Sequence, residues 1–212
     1  MLNKDFEILI EHRKNYVMSL KENNFDLDSI LAGLYNDPSH FIYEILQDAE
    51  DEGAKKIKYE LLEDRLDVYH DGKEFDLADI DGVTGIGISK KKDDLTAIGK
   101  YGVGFKSVFA VTETPYIYSG DYNIKIEDFV IPSLVSNQRI EDTLIRLPFH
   151  HKIRTKKEIF TLVSNKLENI GMKIMLFLKN IEEIQWKTIN SSGHYLKGRV
   201  VARALKCSTA IT

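Results

Sequence analysis

The sequence predicts an α+β domain in which helices alternate with mostly antiparallel strands. Short apolar runs follow one another across brief polar connections, as in residues 56–70, which is typical of paired antiparallel strands. Amphipathic stretches with helical spacing separate these runs, yet no clear strand–helix–strand unit of a parallel sheet is present. We therefore predict an α+β fold rather than a doubly wound sheet.

The first part of the chain is predicted to be helical. Apolar residues recur close to helical spacing across residues 3–24, where Arg13 interrupts the stripe. A second short helix is expected over residues 27–35. A third helix, "SHFIYEILQDAEDEGA", is predicted to have Pro38 at its first position and to stop at Gly53, a residue type that favours the position after a helix end.

The remaining elements are predicted to be mostly strands. "KIKYELL" and "RLDVYH" indicate a hairpin or two adjacent strands, and "PYIYSG", "YNIKIEDFVI", "TLIRLPF" and "EEIQWKTI" indicate four more. "FKSVFAV" is predicted to form a short helix, and residues 155–169 a longer amphipathic one. Residues 82–97 are rich in glycine and lysine, so we expect a loop there.

Bulk properties restrict the function classes. The net charge of −4 creates no general positive field, so nucleic acid is not indicated as a partner. The single cysteine, Cys207, cannot form an internal disulfide, which fits a reducing compartment. No segment approaches the ~20 apolar residues of a membrane span, and the N-terminus lacks the apolar core of a signal peptide. We expect a cytoplasmic protein with no membrane partner.

Three carboxylates form a stripe on the third predicted helix. Glu44, Asp48 and Asp51 are spaced i, i+4 and i+7, so they lie on one side of the helix and border its apolar face. One interpretation is a solvated helix face. The other is a cation site, because clustered carboxylates repel one another and Mg²⁺ binds one or two of them together with phosphates and water.

The stretch "LDVYHDGKEF" is predicted to be a strand that runs into an Asp-Gly turn. Asp-Gly is a common hairpin signal, which is sufficient to explain it. The functional alternative is that the strand end places His70 or Asp71 at the mouth of a pocket, where a polar side chain could contact a nucleobase.

Three glycines, Gly99, Gly102 and Gly104, precede the helix-forming "FKSVFAV". Their spacing reverses the Rossmann order, and no Gly-Lys-Ser/Thr follows as a Walker A loop requires. Residues 82–87 repeat the spacing, but a polar stretch follows them. The glycines indicate either a plain turn or a close approach of backbone N–H groups to an anion at a helix start.

Four stretches, in this order, resemble the motifs of the Bergerat-fold ATPases, the family of Hsp90, MutL, gyrase B and the histidine kinases. They are "EILQDAEDEGA", "YHDGKEF", "IGKYGVGFKSVF" and "EDTLIRLP". The resemblance covers roughly residues 35–190. The third motif is very similar to the Hsp90 form, and "ETPYIYSG" after it is similar to the sacsin-type Hsp90-like domains.

The resemblance implies a two-layer α/β sandwich, with a mixed and mostly antiparallel sheet covered by helices on one face. ATP and Mg²⁺ would bind between these helices and a lid formed by residues 83–97. By position, Glu44 would be the catalytic general base, and Asp48 would hold Mg²⁺ and through it the nucleotide. The other implied nucleotide-binding residues are Asp51, His70, Asp71, Gly72, Phe75, Gly99, Gly102, Val103, Gly104, Phe105, Lys106 and Thr143.

Within that set, residues 102–105 would contact phosphate through backbone N–H groups, Lys106 would add positive charge, and Thr143 would support the adenine end.

Two departures from the family pattern matter. Asp48 replaces the usual asparagine and should make Mg²⁺ more strictly required, because an unshielded carboxylate repels phosphate. His70 stands where the family has its adenine-contacting aspartate, so Asp71 shifts to that task or adenine is contacted by backbone and water.

We therefore expect an ATP-binding domain with slow hydrolysis that acts as a conformational switch, with dimerisation on lid closure and further domains of the same protein as partners. The alternative is a degenerate, nucleotide-independent interaction module.

The predicted boundaries are 1–37 for a helical extension, 38–190 for the ATP-binding domain and 191–212 for a C-terminal strand or following region. His40 is interpreted as a surface or capping residue, and a metal site at residues 150–151 is disfavoured.

Overall fold

The structure is a computed structural model that describes residues 4–24, 37–85, 104–136 and 140–198. The helices are α1 (Lys4–Glu22), α2 (Phe41–Asp51), α3 (Leu77–Thr84) and α4 (Lys156–Glu168), with 3₁₀ helices at Phe105–Ala110 and Met172–Leu176. The strands are β1 (Lys56–Leu61), β2 (Arg65–His70), β3 (Tyr116–Ser119), β4 (Tyr122–Glu127), β5 (Ile131–Leu134), β6 (Thr143–Pro148), β7 (Glu183–Lys187) and β8 (Ser192–Leu196).

The eight described strands form one sheet in the order β5-β4-β3-β6-β2-β1-β7-β8. The β1–β7 pair is parallel and the other neighbours are antiparallel.

Alternation along the strands gives the sheet one apolar inner face and one polar outer face. The inner-face residues of the central strands are buried: Ile57, Tyr59, Leu66, Val68, Ile117, Ile145, Leu147 and Ile184. Buried residues of the helices, among them Phe6, Ile45 and Val163, belong to the same apolar cluster. The predicted α+β class and two-layer sandwich are confirmed.

Helix α1 is amphipathic, as predicted, and the break in its stripe has a partner. The guanidinium of Arg13 donates to the backbone carbonyl of Asp81 at 2.9 Å and to its carboxylate at 2.5 Å. It also donates to the hydroxyl of Thr84 at 3.3 Å. Arg13 therefore joins α1 to the last turn of α3.

None of the described helices is long and apolar enough to cross a membrane.

Helix α2 ends as predicted and begins later than predicted. Gly53 follows it with φ +74°, a conformation that glycine adopts at little cost. Pro38 lies in a turn before the helix, which begins at Phe41, so the prediction of Pro38 at the first helical position was wrong. The helix predicted over 27–35 lies outside the described residues.

Helix α3 was not predicted: no element was assigned to residues 77–81, and a loop was expected over residues 82–97. Asp76 caps its N-terminus by accepting from the amides of Ala78 and Asp79, and the Asp79 carboxylate accepts from the Asp76 amide in return. The first two residues of the predicted lid, 83–84, are therefore helical, and residues 86–97 lie outside the described ranges.

The run "YNIKIEDFVI", predicted as one strand, divides into β4 and β5 at Asp128 and Phe129, which both have positive φ.

A buried carboxylate joins α2 to the segment that precedes β7. Glu50 is 4% exposed and accepts from the amides of Lys179, Asn180 and Ile181 at 2.6–2.8 Å. Three backbone donors on one carboxylate compensate for its burial. Sequence analysis missed this residue, since nothing local distinguishes Glu50 from the acids that follow it.

Candidate functional site

Glu44 of α2 lies against Gly104, the N-cap residue immediately before the Phe105–Ala110 3₁₀ helix. A Cβ atom at residue 104 would overlap the Glu44 carboxylate. Gly104 has φ −55°, a conformation open to any residue, so its backbone geometry does not require glycine. The missing side chain instead makes room for Glu44. The structure thus brings together two residues of the predicted site that are far apart in sequence.

His40 orients the same carboxylate from the preceding helical turn. Its Nε2 lies 2.9 Å from Oε1 of Glu44, and the Glu44 side chain is 16% exposed. His40 is at the N-cap of α2, as the sequence interpretation allowed, but it makes no side-chain capping bond. Its pairing with Glu44 was missed, although the i, i+4 spacing was a usable signal.

Asp48 and Asp51 follow Glu44 along α2 and are partly buried. Among the described residues, no group of three or more His, Cys, Asp or Glu side chains is arranged to hold a metal ion. Mg²⁺ often uses only one or two carboxylates together with phosphates and water, so the chemistry of this helix face fits a phosphate-bound cation. The role of Asp48 as a Mg²⁺ ligand stays a prediction.

His70 and Thr143 are neighbours on the inner face, at the ends of β2 and β6. They are direct register partners, and both are buried, at 3% and 2% exposure. The Thr143 hydroxyl lies 2.6 Å from that of Ser119, and Ser119 Oγ accepts from the Phe75 amide at 2.9 Å. Burial lowers the pKa of His70 to about 4, so its imidazole is neutral at pH 7. Four residues from separate segments therefore meet at this end of the sheet.

In the turn after β2, the side chains of His70 and Asp71 have different hydrogen-bond partners. Asp71 Oδ1 accepts from the amides of Lys55 and Lys56 at 2.7 and 2.8 Å, which ties the carboxylate to the start of β1. His70 keeps the inner-face position, and its Nδ1 accepts from the Gly72 amide at 3.3 Å. A Cβ at Gly72 would come within 3.0 Å of that nitrogen, so the close packing of this turn favours glycine.

Lys106 is buried, at 1% exposure, and its ammonium contacts protein groups. It donates to the carbonyl of Phe129 at 2.8 Å and to that of Val83. Burial holds the pKa of Lys106 well below its usual range. In this conformation the side chain joins the 3₁₀ helix to α3 and to the β4–β5 connection. Phe105 packs in the core, and Gly99, Gly102 and Val103 lie outside the described residues.

A shallow cavity of about 410 Å³ lies elsewhere, along one face of α4. Its lining residues are Thr155, Lys157, Glu158, Thr161, Leu162 and Asn165. None of the predicted site residues contributes to it. We therefore place the candidate site at α2, Gly104 and the β2–β6 strand ends.

Comparisons with known proteins agree with the sacsin-type resemblance. Residues 59–137 match the family described as "Sacsin domain". The chain is 25% identical over 192 residues to "Protein NO VEIN" of Arabidopsis thaliana, covering 77% of this chain and 7% of that protein. It is 32% identical over 105 residues to "Sacsin" of Homo sapiens, covering 41% of this chain and 2% of that protein. The chain is thus similar to a small part of two much longer proteins.

Proposed function

We propose that this domain binds Mg-ATP and hydrolyses it slowly, as the conformational switch of a longer protein. The contact between Glu44 and Gly104 carries the proposal, because it places an oriented carboxylate beside the backbone that follows the glycine-rich stretch. Similarity to the sacsin-type family supports it. The pairing of His70 with Thr143 supplies a second polar position, which we assign to the nucleobase end.

In this proposal each residue has a distinct task. Glu44 accepts a proton from the attacking water, and His40 fixes the carboxylate that does so. Asp48 contributes a carboxylate to Mg²⁺, which supplies positive charge to the phosphates when bound. Backbone N–H groups at Gly104 and Phe105 contact phosphate. Dimerisation, further domains as partners and a cytoplasmic location belong to the same proposal.

Two observations favour a second candidate function, a nucleotide-independent interaction module. The Asp71 carboxylate accepts from the amides of Lys55 and Lys56, and the Lys106 ammonium donates to backbone carbonyls. Two groups that would be expected to contact a nucleotide thus already have protein partners. The two candidates differ in one measurable property, which is affinity for Mg-ATP.

Calorimetric titration with ATP, in Mg²⁺ and in EDTA, tests the proposal. Binding is expected only with Mg²⁺, because Asp48 without a cation repels the phosphates. Asp48→Asn should weaken the Mg²⁺ requirement, and Glu11→Asn on the exposed side of α1 is the matched control. Absence of binding under both conditions would support the interaction module. Equal affinity in both would exclude Asp48 as a metal ligand.

A further inference from the structure

Strand β8 forms one edge of the sheet, and no other described strand pairs with its outer side. Natural sheets usually protect such an edge with proline, charged side chains or a covering helix, because free backbone groups can pair with a further strand. The opposite edge follows this rule, since β5 contains Pro132 and α1 packs beside it. Strand β8, "SGHYL", contains no proline, lysine, arginine or acidic residue. Its backbone is therefore available to another strand.

The hydrogen bonds at both ends of the β7–β8 ladder show which groups of β8 face outward. The Lys197 amide donates to the Glu182 carbonyl at 2.8 Å. At the other end, the Thr188 amide donates to the Ser191 carbonyl at 2.8 Å. Bonded and non-bonded pairs alternate along antiparallel strands, so every second residue between these ends bonds to β7. The N–H and C=O groups that face the open edge are those of Ser192, His194 and Leu196.

These three outward positions are symmetric about His194. An antiparallel second copy of β8 would place His194 opposite its own counterpart. It would also place Ser192 of each copy opposite Leu196 of the other, so that every outward position is hydrogen-bonded. A strand of identical sequence thus satisfies this edge under a two-fold axis, which is the symmetry of most homodimers.

The same axis brings together exposed apolar side chains from the two ends of the strand. Leu176 and Phe177 are 81% and 77% exposed. They lie beside the end of β8, because the Lys197 ammonium donates to the carbonyl of Leu178 at 2.6 Å. Ile189, in the turn before β8, is 55% exposed. Antiparallel pairing places that turn of one copy next to the end of β8 in the other, where these side chains would cover one another.

From this geometry we propose that the outer edge of β8 pairs with a second copy of the chain, which joins two sheets into one and forms a homodimer. A second copy fits better than an unrelated strand, since the backbone positions and the exposed apolar residues match under one axis. Pairing through this edge needs no nucleotide, so the inference is independent of the proposed function. A single strand pair with few apolar contacts makes a small interface, so we expect a Kd on the order of 10 μM.

Analytical ultracentrifugation of the full chain without nucleotide tests the proposal, at concentrations well below and well above that value. The weight-average mass should approach twice that of one chain, and a monomer throughout overturns the proposal. His194→Pro removes the central outward N–H and no bond to β7, so it should weaken dimerisation by about tenfold or more. His194→Ala keeps that N–H and is the control, and melting curves establish that both variants are folded. Equal dimerisation of the folded proline variant and its control overturns pairing through this edge.

The apolar contribution is tested away from the strand itself. Leu176→Ser should weaken dimerisation by about three- to tenfold, because it removes apolar area from the interface. Ile153→Ser is the matched control, since Ile153 is 85% exposed and lies in the loop before α4. Equal effects of the two substitutions would contradict the proposed two-fold arrangement.

Disulfide cross-linking measures the register. Cys207 is the one cysteine of the chain, so the variants are made in a Cys207→Ser background. His194→Cys should cross-link two copies on mild oxidation, because Cα atoms of a hydrogen-bonded pair are about 5.5 Å apart. Ser192→Cys is the matched control, since its counterpart lies at the other end of the paired strand, beyond the reach of a disulfide. Cross-linking of Ser192→Cys as efficient as that of His194→Cys overturns the antiparallel pairing about His194.

Discussion

The carboxylate of Glu44 occupies the space that a side chain at residue 104 would need. These two positions are 60 residues apart in sequence. In this conformation, the Glu44 carboxylate leaves no room for a side chain at residue 104. Gly104 has helical dihedral angles, so steric access explains the glycine better than backbone freedom does. His40 holds the carboxylate from its other side, at 2.9 Å.

Gly104→Ala should displace the Glu44 carboxylate and so reduce ATP turnover, in the proposed mechanism, by about 10-fold or more. The new Cβ overlaps the end of a flexible side chain, so we expect the fold to persist. Steady-state phosphate release and a thermal melt check the two parts of this prediction.

The double variant supplies the control. In a Glu44→Ala background the same Gly104→Ala change meets no carboxylate, so it should be neutral or should raise the free energy of unfolding by about 0.5–1 kcal/mol. Equal effects of Gly104→Ala with and without Glu44 would contradict a steric link between the two residues.

Glu44→Gln should separate hydrolysis from binding. The amide keeps the shape of the side chain and cannot accept the proton of water, so turnover should fall by ~10²–10⁴-fold, while Mg-ATP affinity stays nearly unchanged. Phosphate release and calorimetric titration are measured together on the longest available form of the protein. Glu11→Gln is the exposed control. Turnover equal to the unmodified protein would show that α2 presents only a solvated acidic face.

Glu50→Gln should destabilise the fold by about 3 kcal/mol. Three amides of residues 179–181 donate to the two oxygens of the Glu50 carboxylate. Glutamine keeps one acceptor oxygen and would turn its NH₂ group toward the remaining backbone donor or donors, which leaves a buried donor without an acceptor. Urea unfolding of this variant is compared with that of Glu7→Gln, at an exposed position on α1. A shift of the Glu50 variant no larger than that of the control would argue against a structural role.

Acid should destabilise the domain partly through His70. The folded pKa of about 4 lies below the ordinary value of 6.5, so the unfolded chain takes up the proton first as the pH falls. The free energy of unfolding should therefore decrease from pH 6.5 downward, by about 3 kcal/mol at pH 4 from this residue alone. His70→Asn removes that contribution, so its pH dependence should be flatter across this window. Parallel pH profiles for the two proteins would contradict the assignment.

Much of the architecture was predictable because it follows from local patterns. Periodicity in the sequence predicted α1, α4 and the β1–β2 pair, since alternation and helical spacing record which side chains are buried. Gly53 marked the end of α2 for the same reason, because its backbone conformation is a local property. The unpredicted helix α3 depends on a reciprocal cap between Asp76 and Asp79, which was present in the sequence but not recognised.

The contact partner of each polar side chain in the candidate site was decided by tertiary structure. Sequence placed Glu44, His70, Asp71, Gly104 and Thr143 in one predicted site, but not the partner of each. Packing of α2 on the 3₁₀ helix brings Glu44 to Gly104, and strand register places His70 beside Thr143.

The Asp71 carboxylate accepts from the amides of Lys55 and Lys56, a partnership that no sequence motif indicated. Lys106, predicted to add charge near phosphate, is directed by burial toward two carbonyls. A polar side chain bonds to whatever group the fold brings within about 3 Å, and long-range packing sets that distance. The sequence by itself therefore determined the fold class and the identity of the candidate residues, while only the tertiary structure decided how their polar atoms are paired.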